Sequence, residues 1–254
     1  MSIVTCAIQG RFGSATAQYL HARAYAAKHG HEFVCAPWIG DRVFDLHDTQ
    51  LTPEVEARLE RVDEYTAQGR GDVIVWCYGS SQACMIYTKK QAQEWLNIKP
   101  ELLQILERIV PRYSEQHGWD LIVGHQRKGD YIGYGYPVVN LASYHRAAEQ
   151  AAKELHLGPP RLVMVTEENP LPNYGTLHDH LAFLPDFYRL LRAPVLLRGN
   201  SSFSWLAGLL GNGVVYSPVI DNATGGAEND CPFVAGNHPR ICMAPNVTNL
   251  YIQP

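Results

Sequence analysis

The amino-terminal stretch constrains the fold most, because β-type and helical patterns alternate there around glycine. Residues 3–8 (IVTCAI) form a short apolar run typical of a buried strand. Residues 15–28 are rich in alanine and predict a helix, and Gly30 is placed to end it. Residues 32–35 are a second β-rich run. A strand, a helix and a strand in close succession form a βαβ unit, so the sequence predicts a parallel sheet.

The same alternation continues along the chain. Further strands are predicted at residues 72–76, 121–123, 162–166 and 195–197. Helices are predicted at 52–67, 83–95, 100–113 and 143–155 and within 178–191. A polar link that includes His117 and Gly118 precedes the central strand, so we expect domains at 1–117 and 118–254. The predicted fold class is therefore α/β, with parallel sheets in two Rossmann-like domains.

Composition argues against several classes of function. The net charge is −4 over 254 residues, whereas nucleic-acid binders usually carry a basic face, so no nucleic-acid partner is expected. No apolar run approaches the ~18 residues of a membrane span, and none is expected. The six cysteines are scattered and lack a C-x-x-C pair, which favours reduced thiols in a cytoplasmic protein. The oligomeric state is left open.

The central stretch, residues 121–131, reads LIVGHQRKGDY. A buried strand is followed by His125, Arg127, Lys128 and Asp130 within six residues. Ligands of open α/β sheets bind outside the carboxyl ends of the strands. Arg127 can grip phosphate oxygens through a fork of donors, and Lys128 adds a compact charge. The pattern therefore favours a phosphorylated ligand, although a solvated turn is the ordinary alternative.

A second turn of this kind follows the strand predicted at 195–197. Asn200, Ser201, Ser202 and Phe203 lead into a helix-compatible run. Hydroxyls, backbone N–H groups and the helix dipole together form an anion site. An ordinary helix cap is again the alternative. Two such turns after two strands of one sheet favour a functional site.

Four motifs resemble those of fucosyltransferases. HQRKGDY (125–131) resembles H-x-R-R-G-D-Y of the α-1,2-fucosyltransferases and of their α-1,6- and protein O-fucosyltransferase relatives. NSSFSW (200–205) is similar to N-S-S-F-S-W-W of the α-1,2 enzymes, and residues 10–26 are similar to their motif G-[RG]-[FL]-G-N-Q-x-x-Q-[YF]. Residues 37–39, PWI, resemble a protein O-fucosyltransferase element. The motifs follow the family's order and span most of the chain.

This resemblance implies a GT-B arrangement of two facing Rossmann-like domains, the first on the acceptor side and the second on the donor side. It implies an inverting, metal-independent transfer of fucose from GDP-fucose to a hydroxyl of a glycan acceptor, without a cofactor. The sugar nucleotide and the glycan are thus the implied partners.

The resemblance also implies roles for individual residues. His125 contacts the nucleoside, Arg127 holds the β-phosphate, and Ser202 grips the same phosphate with the Phe203 N–H. Asp186 lies sixteen positions before Ser202, where an α-1,6 relative has its guanine-binding Asp. The remaining implied donor-binding residues are Gly10, Arg11, Phe12, Gly13, Ser14, Asn200 and Ser201.

The candidate catalytic residues are Arg127, Lys128 and Asp41. Arg127 neutralises the leaving diphosphate, Lys128 assists it, and Asp41 is a candidate general base for the acceptor hydroxyl. Asp130 is expected to orient the turn by accepting hydrogen bonds from its backbone and from arginine. His178, Asp179 and His180 could bind a metal, but adjacent positions on a helix point apart, which favours solvated side chains.

The chain also departs from the family's motifs. Lys128 replaces the second arginine, Ser14 and Ala15 replace Asn and Gln, and Leu206 replaces a tryptophan. Two alternatives therefore stay open. One is the same fold using another nucleotide sugar, such as a rhamnosyl donor. The other is a degenerate, non-catalytic nucleotide- or sugar-binding protein.

Overall fold

The computed structural model describes residues 1–63, 66–77, 86–110, 121–133, 135–167, 177–221, 228–238 and 242–243. The chain divides into two compact units, Met1–Leu102 and Leu103–Pro254. The domain boundary predicted after His117 lies outside the described residues. Each unit contains a five-stranded sheet. None of the described helices is long and apolar enough to cross a membrane.

The sheet of the first unit is parallel throughout, as the βαβ pattern predicts. Its strands are β1 (Ile3–Cys6), β2 (Glu32–Cys35), β3 (Thr49–Gln50), β4 (Glu60–Asp63) and β5 (Val73–Trp76), in the order β3-β2-β1-β5-β4. The helices along this part of the chain are α1 (Phe12–His29), α2 (Gly40–Val43), α3 (Pro53–Glu56), α4 (Lys89–Trp95) and α5 (Pro100–Ile109).

Helix α1 forms where its alanine-rich sequence predicts, and it begins three residues earlier than expected. Gly30 ends it in the left-handed conformation at φ 71°, where its N–H donates to the carbonyl of Ala26. Thirteen of the eighteen residues of α1 are buried, so this helix covers one face of the β1–β2 region. At the other end, Gly10 has φ 83°. That conformation favours glycine and turns the chain from β1 into the helix.

The helix predicted over residues 52–67 is wrong. Thr52 does cap a helix, accepting a hydrogen bond from the N–H of Val55 at 3.4 Å, but α3 ends at Glu56. The chain then enters β4, where Val62 is buried and pairs with Val75 of β5. A sheet partner distant in sequence thus overrides the local helical preference.

The predicted helix start at residue 83 falls on residues that the structure does not describe. Among the described ones, residues 86–88 are not helical, and α4 begins at Lys89. Thr88 and Gln91 form a capping box there, each side chain satisfying the other residue's backbone N–H.

The sheet of the second unit has the order β13-β10-β9-β6-β8, parallel except for β13. Its strands are β6 (Leu121–Gln126), β8 (Arg161–Thr166), β9 (Val195–Leu197), β10 (Val214–Pro218) and β13 (Phe233–Ala235). The short strands β7 (Val138–Val139), β11 (Ile220–Asp221), β12 (Glu228–Asn229) and β14 (Cys242–Met243) form two-stranded pairs, β12 with β7 and β11 with β14. The helices are α6 (Gly129–Gly133), α7 (Leu141–Glu154), α8 (Leu184–Leu191) and α9 (Ser202–Leu210), with a 3₁₀ turn at Asp179–Leu181.

Strand β6 runs to Gln126, farther than the sequence predicts, and all its residues are buried. Gly124 does not end the strand. Its Cα lies against the thioether of Met164 and the ring of Tyr144, which leave no room for a side chain. The prediction ended the strand before this glycine, whereas Gly124 is a close-packing position inside the sheet. His125 therefore belongs to the strand and has a buried environment.

Candidate functional site

Three turns of the second unit lie at one edge of its sheet. Arg127 follows β6, Glu167 follows β8, and Gly199 lies between β9 and α9. Because β9, β6 and β8 are neighbouring parallel strands, their carboxyl ends meet at the same edge. This is the place where ligands bind in open α/β sheets.

The guanidinium of Arg127 is held by two carboxylates. Its Nε donates to Asp130 Oδ1 at 2.9 Å, and one terminal nitrogen lies 2.7 Å from the same oxygen. Its other terminal nitrogen pairs with Glu167 Oε1. The predicted contact between Asp130 and the arginine of its turn is confirmed. The Arg127 side chain is 17% exposed, so the cation is fixed at the protein surface within reach of a ligand.

Lys128 points to a different partner. Its Nζ lies 2.9 Å from Glu228 Oε1, at the start of β12. Glu228 is half exposed, and Lys128 keeps a partly exposed ammonium group. The two adjacent cations of the turn are therefore each engaged by carboxylates from other parts of the second unit.

The turn after β9 touches β6 directly. A Cβ on Gly199 would lie 2.5 Å from the backbone oxygen of His125 and 3.3 Å from the hydroxyl of Tyr144. The Tyr144 hydroxyl donates a hydrogen bond to that same oxygen. The Phe203 ring lies 5.5 Å from the His125 ring. Gly199 thus lets the β9 turn approach β6 closely enough to bring Phe203 onto His125.

His125 is only 5% exposed. Burial lowers the pKa of its imidazole to about 4, so the ring is neutral at pH 7. Its Nδ1 is buried without a hydrogen-bond partner among the described residues. Such an atom costs free energy unless something pairs with it. His125 therefore offers a neutral hydrogen-bonding group below the aromatic ring of Phe203.

The amino terminus of α9 has the expected helix-cap chemistry. Ser201 is the N-cap, and its Oγ accepts from the Phe203 N–H at 3.3 Å. The Ser204 hydroxyl accepts from the Gly199 N–H at 3.1 Å, which fixes the turn before the helix. Asn200 and Ser202 are partly exposed. The Phe203 N–H, which the resemblance assigns to phosphate, thus donates to Ser201.

Asp186 lies in the first turn of α8 and is partly exposed. Helix α8 packs on α9 through aromatic rings, because Phe183 and Phe187 lie 6.1 and 5.4 Å from the Phe203 ring. The structure therefore packs the helix that carries Asp186 against Phe203, whose ring lies on His125.

Arg198 was not singled out by the sequence, yet it is 3% exposed. Its Nε donates to Ser217 Oγ at 2.7 Å, and a terminal nitrogen donates to the carbonyl of His238. Ser217 also donates to the Gly236 carbonyl at 2.6 Å and accepts from the His238 N–H at 3.1 Å. Arg198 thus ties the segment after β13 to the carboxyl end of β9.

The other predicted donor-binding residues lie in the first unit. Gly10 and Arg11 precede α1, while Phe12, Gly13 and Ser14 form its first turn. A cleft of about 470 Å³ opens beside this turn, and its lining includes Thr5, Gly10, Ala15 and Trp38. Thr5 is buried, and its hydroxyl has no hydrogen-bond partner among the described residues. The cleft therefore has an unsatisfied polar atom in its wall.

Asp41 lies in the first turn of α2. Its Oδ2 accepts a hydrogen bond from the Trp38 N–H at 2.8 Å. Trp38 lines the cleft and stacks on Tyr19, with ring centroids 5.0 Å apart. Asp41 thus holds the loop after β2 that carries Trp38.

Two residues of the site were missed from the sequence. Neither Glu167 nor Gly199 is among the candidate residues predicted from the sequence. Glu167 directly follows a β-rich run, and Gly199 follows another after a single arginine, Arg198; this position is the signal that could have found them. The rings of His178 and His180 stack 5.5 Å apart. Within the described ranges, no group of three or more His, Cys, Asp or Glu residues is placed to hold a metal ion.

No profile of a known protein family matches the chain, and no curated protein matches it by sequence. Solved structures match its fold. NodZ α-1,6-fucosyltransferase soaked with GDP-fucose gives a TM-score of 0.53 at 16% identity, covering 94% of this chain and 99% of that one. Fucosyltransferase NodZ from Bradyrhizobium gives 0.52 at 16% identity, covering 92% and 98%. A mutant of Arabidopsis thaliana FUT1 in complex with GDP gives 0.52 at 11% identity, covering 94% and 75%.

These neighbours are fucosyltransferases of the GT-B class. The α/β fold class predicted from the sequence, with parallel sheets of the GT-B type, is confirmed.

Proposed function

We propose that the chain is an inverting glycosyltransferase that moves a sugar, fucose by preference, from a GDP-sugar to a hydroxyl of a glycan acceptor. One observation carries the proposal. The contact of Gly199 and Phe203 with His125 brings the amino terminus of α9 to the sheet edge that presents Arg127. Structural neighbours solved with GDP-fucose or GDP support the same ligand class.

The chemistry follows from where charge develops. In glycosyl transfer, negative charge builds on the departing diphosphate while the sugar becomes oxocarbenium-like. Fixed donors aimed at that charge stabilise the transition state. Arg127 supplies a cation that cannot lose its proton. The amino terminus of α9 adds the hydroxyls of Ser201 and Ser202 and the positive end of a helix dipole.

In the proposal the acceptor binds in the first unit. The cleft of about 470 Å³ is large enough for a sugar ring, and its lining includes an aromatic side chain, Trp38. Asp41 is the candidate general base that takes the acceptor's proton in a single displacement with inversion. The Trp38 N–H fixes one of its two carboxylate oxygens.

The first test measures, by calorimetry, how tightly the protein binds GDP, UDP, dTDP and GDP-fucose. Binding of GDP in preference to the other two diphosphates supports a GDP-sugar donor. Preference for dTDP or UDP would favour the alternative with another nucleotide sugar. Binding without any donor hydrolysis or transfer would favour the non-catalytic alternative, which the replacement of Asn by Ser14 motivates.

Metal independence is a prediction of the same proposal. Arg127, Lys128 and the α9 turn supply positive charge for the diphosphate, so we expect turnover to be unchanged after EDTA treatment. The measurement is donor consumption with EDTA and with added Mn²⁺ or Mg²⁺. Activity that disappears in EDTA and returns with either ion would contradict it.

Replacing Asp186 by asparagine should weaken GDP binding by roughly 1.5–3 kcal/mol, the range for hydrogen bonds to a charged group. Guanine presents N1–H and N2–H₂ as adjacent donors, and one carboxylate accepts both. Binding of UDP and dTDP should hardly change, since neither base offers that pair. Calorimetry with the three diphosphates measures the difference.

Asp179→Asn is the matched control, because Asp179 is an exposed aspartate in the 3₁₀ turn before α8. It should leave all three affinities unchanged. Equal losses for the three nucleotides in Asp186→Asn would show that Asp186 does not read the base.

A cytoplasmic location is also part of the proposal. Four cysteines in the described part of the chain, Cys6, Cys35, Cys77 and Cys231, are buried as thiols outside any disulfide. Buried free thiols support a reducing compartment.

A further inference from the structure

The two carboxylates on Arg127 do different things. Asp130 comes from the same turn, three residues on, and takes the edge of the guanidinium formed by Nε and one terminal nitrogen. Glu167 comes from the turn after a neighbouring strand, β8, and takes the other terminal nitrogen. Asp130 therefore orients the arginine, while Glu167 pairs with the terminal nitrogen that Asp130 does not contact.

Glu167 also lies on the backbone of the Arg127 turn. Its carboxylate packs against Gly129 so closely that a side chain on Gly129 would collide with it. Gly129 begins α6. The Glu167 carboxylate thus sits between the arginine and a bare stretch of backbone, a position that suits a small oxyanion.

The charges around Arg127 are unfavourable for binding a diphosphate while Glu167 is paired with the arginine. Among the ion pairs of the described residues, the carboxylates of Asp130, Glu167 and Glu228 contact the cations Arg127 and Lys128. A diphosphate bound to Arg127 would lie beside the Glu167 carboxylate. Two negative charges that share one cation repel each other. Glu167 is 32% exposed and belongs to a turn, so its side chain can swing into solvent without opening the core.

We propose that Glu167 is a specificity-determining residue that competes with the diphosphate for Arg127 and is displaced when a diphosphate binds. A ligand replaces Glu167 on Arg127 only if it carries more negative charge than a carboxylate and gains further contacts at the amino terminus of α9. Glu167 thereby sets the threshold for anions at Arg127. This inference rests on the proposed function, since it takes the diphosphate of the donor as the ligand.

The test is calorimetry with GDP and with guanosine on the wild type, Glu167→Gln and Glu149→Gln. Glutamine keeps the shape of Glu167 and removes its charge. We expect GDP to bind about tenfold more tightly to Glu167→Gln, an effect reduced by added salt because the site is partly exposed. Guanosine has no phosphate, so its affinity should stay within about twofold of wild type. Glu149 is an exposed glutamate on α7 of the same unit, and its variant should match the wild type with both ligands.

A role in merely holding the arginine predicts the opposite sign. If Glu167 supports Arg127 as Asp130 does, Glu167→Gln will bind GDP more weakly, and that result overturns the inference, as does unchanged affinity. Glu167→Asp keeps the charge but shortens the reach to Arg127, so it should bind GDP more tightly than wild type and less tightly than Glu167→Gln. Glu167→Asp also provides the test if Glu167→Gln is too unstable to measure.

Failure of the proposed function is distinguishable. Wild-type protein that binds GDP, with Glu167→Gln no tighter, contradicts only the role of Glu167. Absence of GDP binding by both proteins contradicts the nucleotide site itself and this inference with it.

Discussion

Arg127→Ala is expected to lower turnover by about 100- to 1000-fold, the usual cost of removing one fixed donor from a developing oxyanion. The Arg127 guanidinium is held by Asp130 of the same turn and by Glu167 of the turn after β8. Alanine leaves those two carboxylates facing the diphosphate with no cation between them. The loss should appear in both kcat and GDP affinity.

The fold should survive this change, because Arg127 and both its partners are partly exposed and contribute little to the core. Arg146→Ala is the matched control. It also removes an arginine paired with an aspartate, Asp230, in the same unit, and that pair is half exposed. Steady-state kinetics with circular dichroism on both variants makes the measurement.

Turnover of Arg127→Ala within a few-fold of wild type would remove Arg127 from the mechanism. Lys128→Ala should cost less than Arg127→Ala. A lysine offers a point charge without a fork, and Nζ of Lys128 is directed to Glu228.

The features that were predictable depend on local sequence. Gly30 ends α1 in the left-handed conformation because helix ends select glycine there. Asp130 reaches Arg127 because three positions separate them at the start of a short helix. The βαβ pattern likewise predicts a parallel first sheet, because short connections leave a crossover helix as the simplest route.

The features that were not predictable depend on partners distant in sequence. Strand β4 exists because Val62 finds Val75 across the sheet, although the preceding Thr52 begins a genuine helix. Gly124 looks like the end of a strand until Met164 of β8 is packed against it. Glu167 becomes part of the site only because β8 lies beside β6. Strand order cannot be read from one sequence, so the carboxylate that covers Arg127 resembled any surface glutamate.

Gly199→Ala is expected to have the second large effect, on stability and on GDP binding together. The reason is space: the new methyl group would lie 2.5 Å from the backbone oxygen of His125, in the middle of a buried sheet. It would also lie 3.3 Å from the hydroxyl of Tyr144, which donates to that oxygen. A backbone atom of a central strand cannot rotate away, so the turn after β9 must move.

Overpacking of this kind costs about 1–3 kcal/mol of unfolding free energy. The displaced turn carries the amino terminus of α9, so the Ser201 cap and the Phe203 ring move away from Arg127 and His125. We therefore expect GDP affinity to fall by about tenfold or more even at temperatures where the variant is fully folded. Urea denaturation measures the first effect, and calorimetry well below the melting temperature measures the second.

Gly133→Ala provides the control, because a methyl group on Gly133 would have no heavy atom of the described residues within 4 Å. Gly133 ends α6, on the far side of the Arg127 turn. Its variant should keep wild-type stability and GDP affinity. If Gly199→Ala matched it in both measurements, the close approach of the β9 turn to His125 would not be what builds the site. The α9 terminus and Arg127 would then have to be brought together by some other contact.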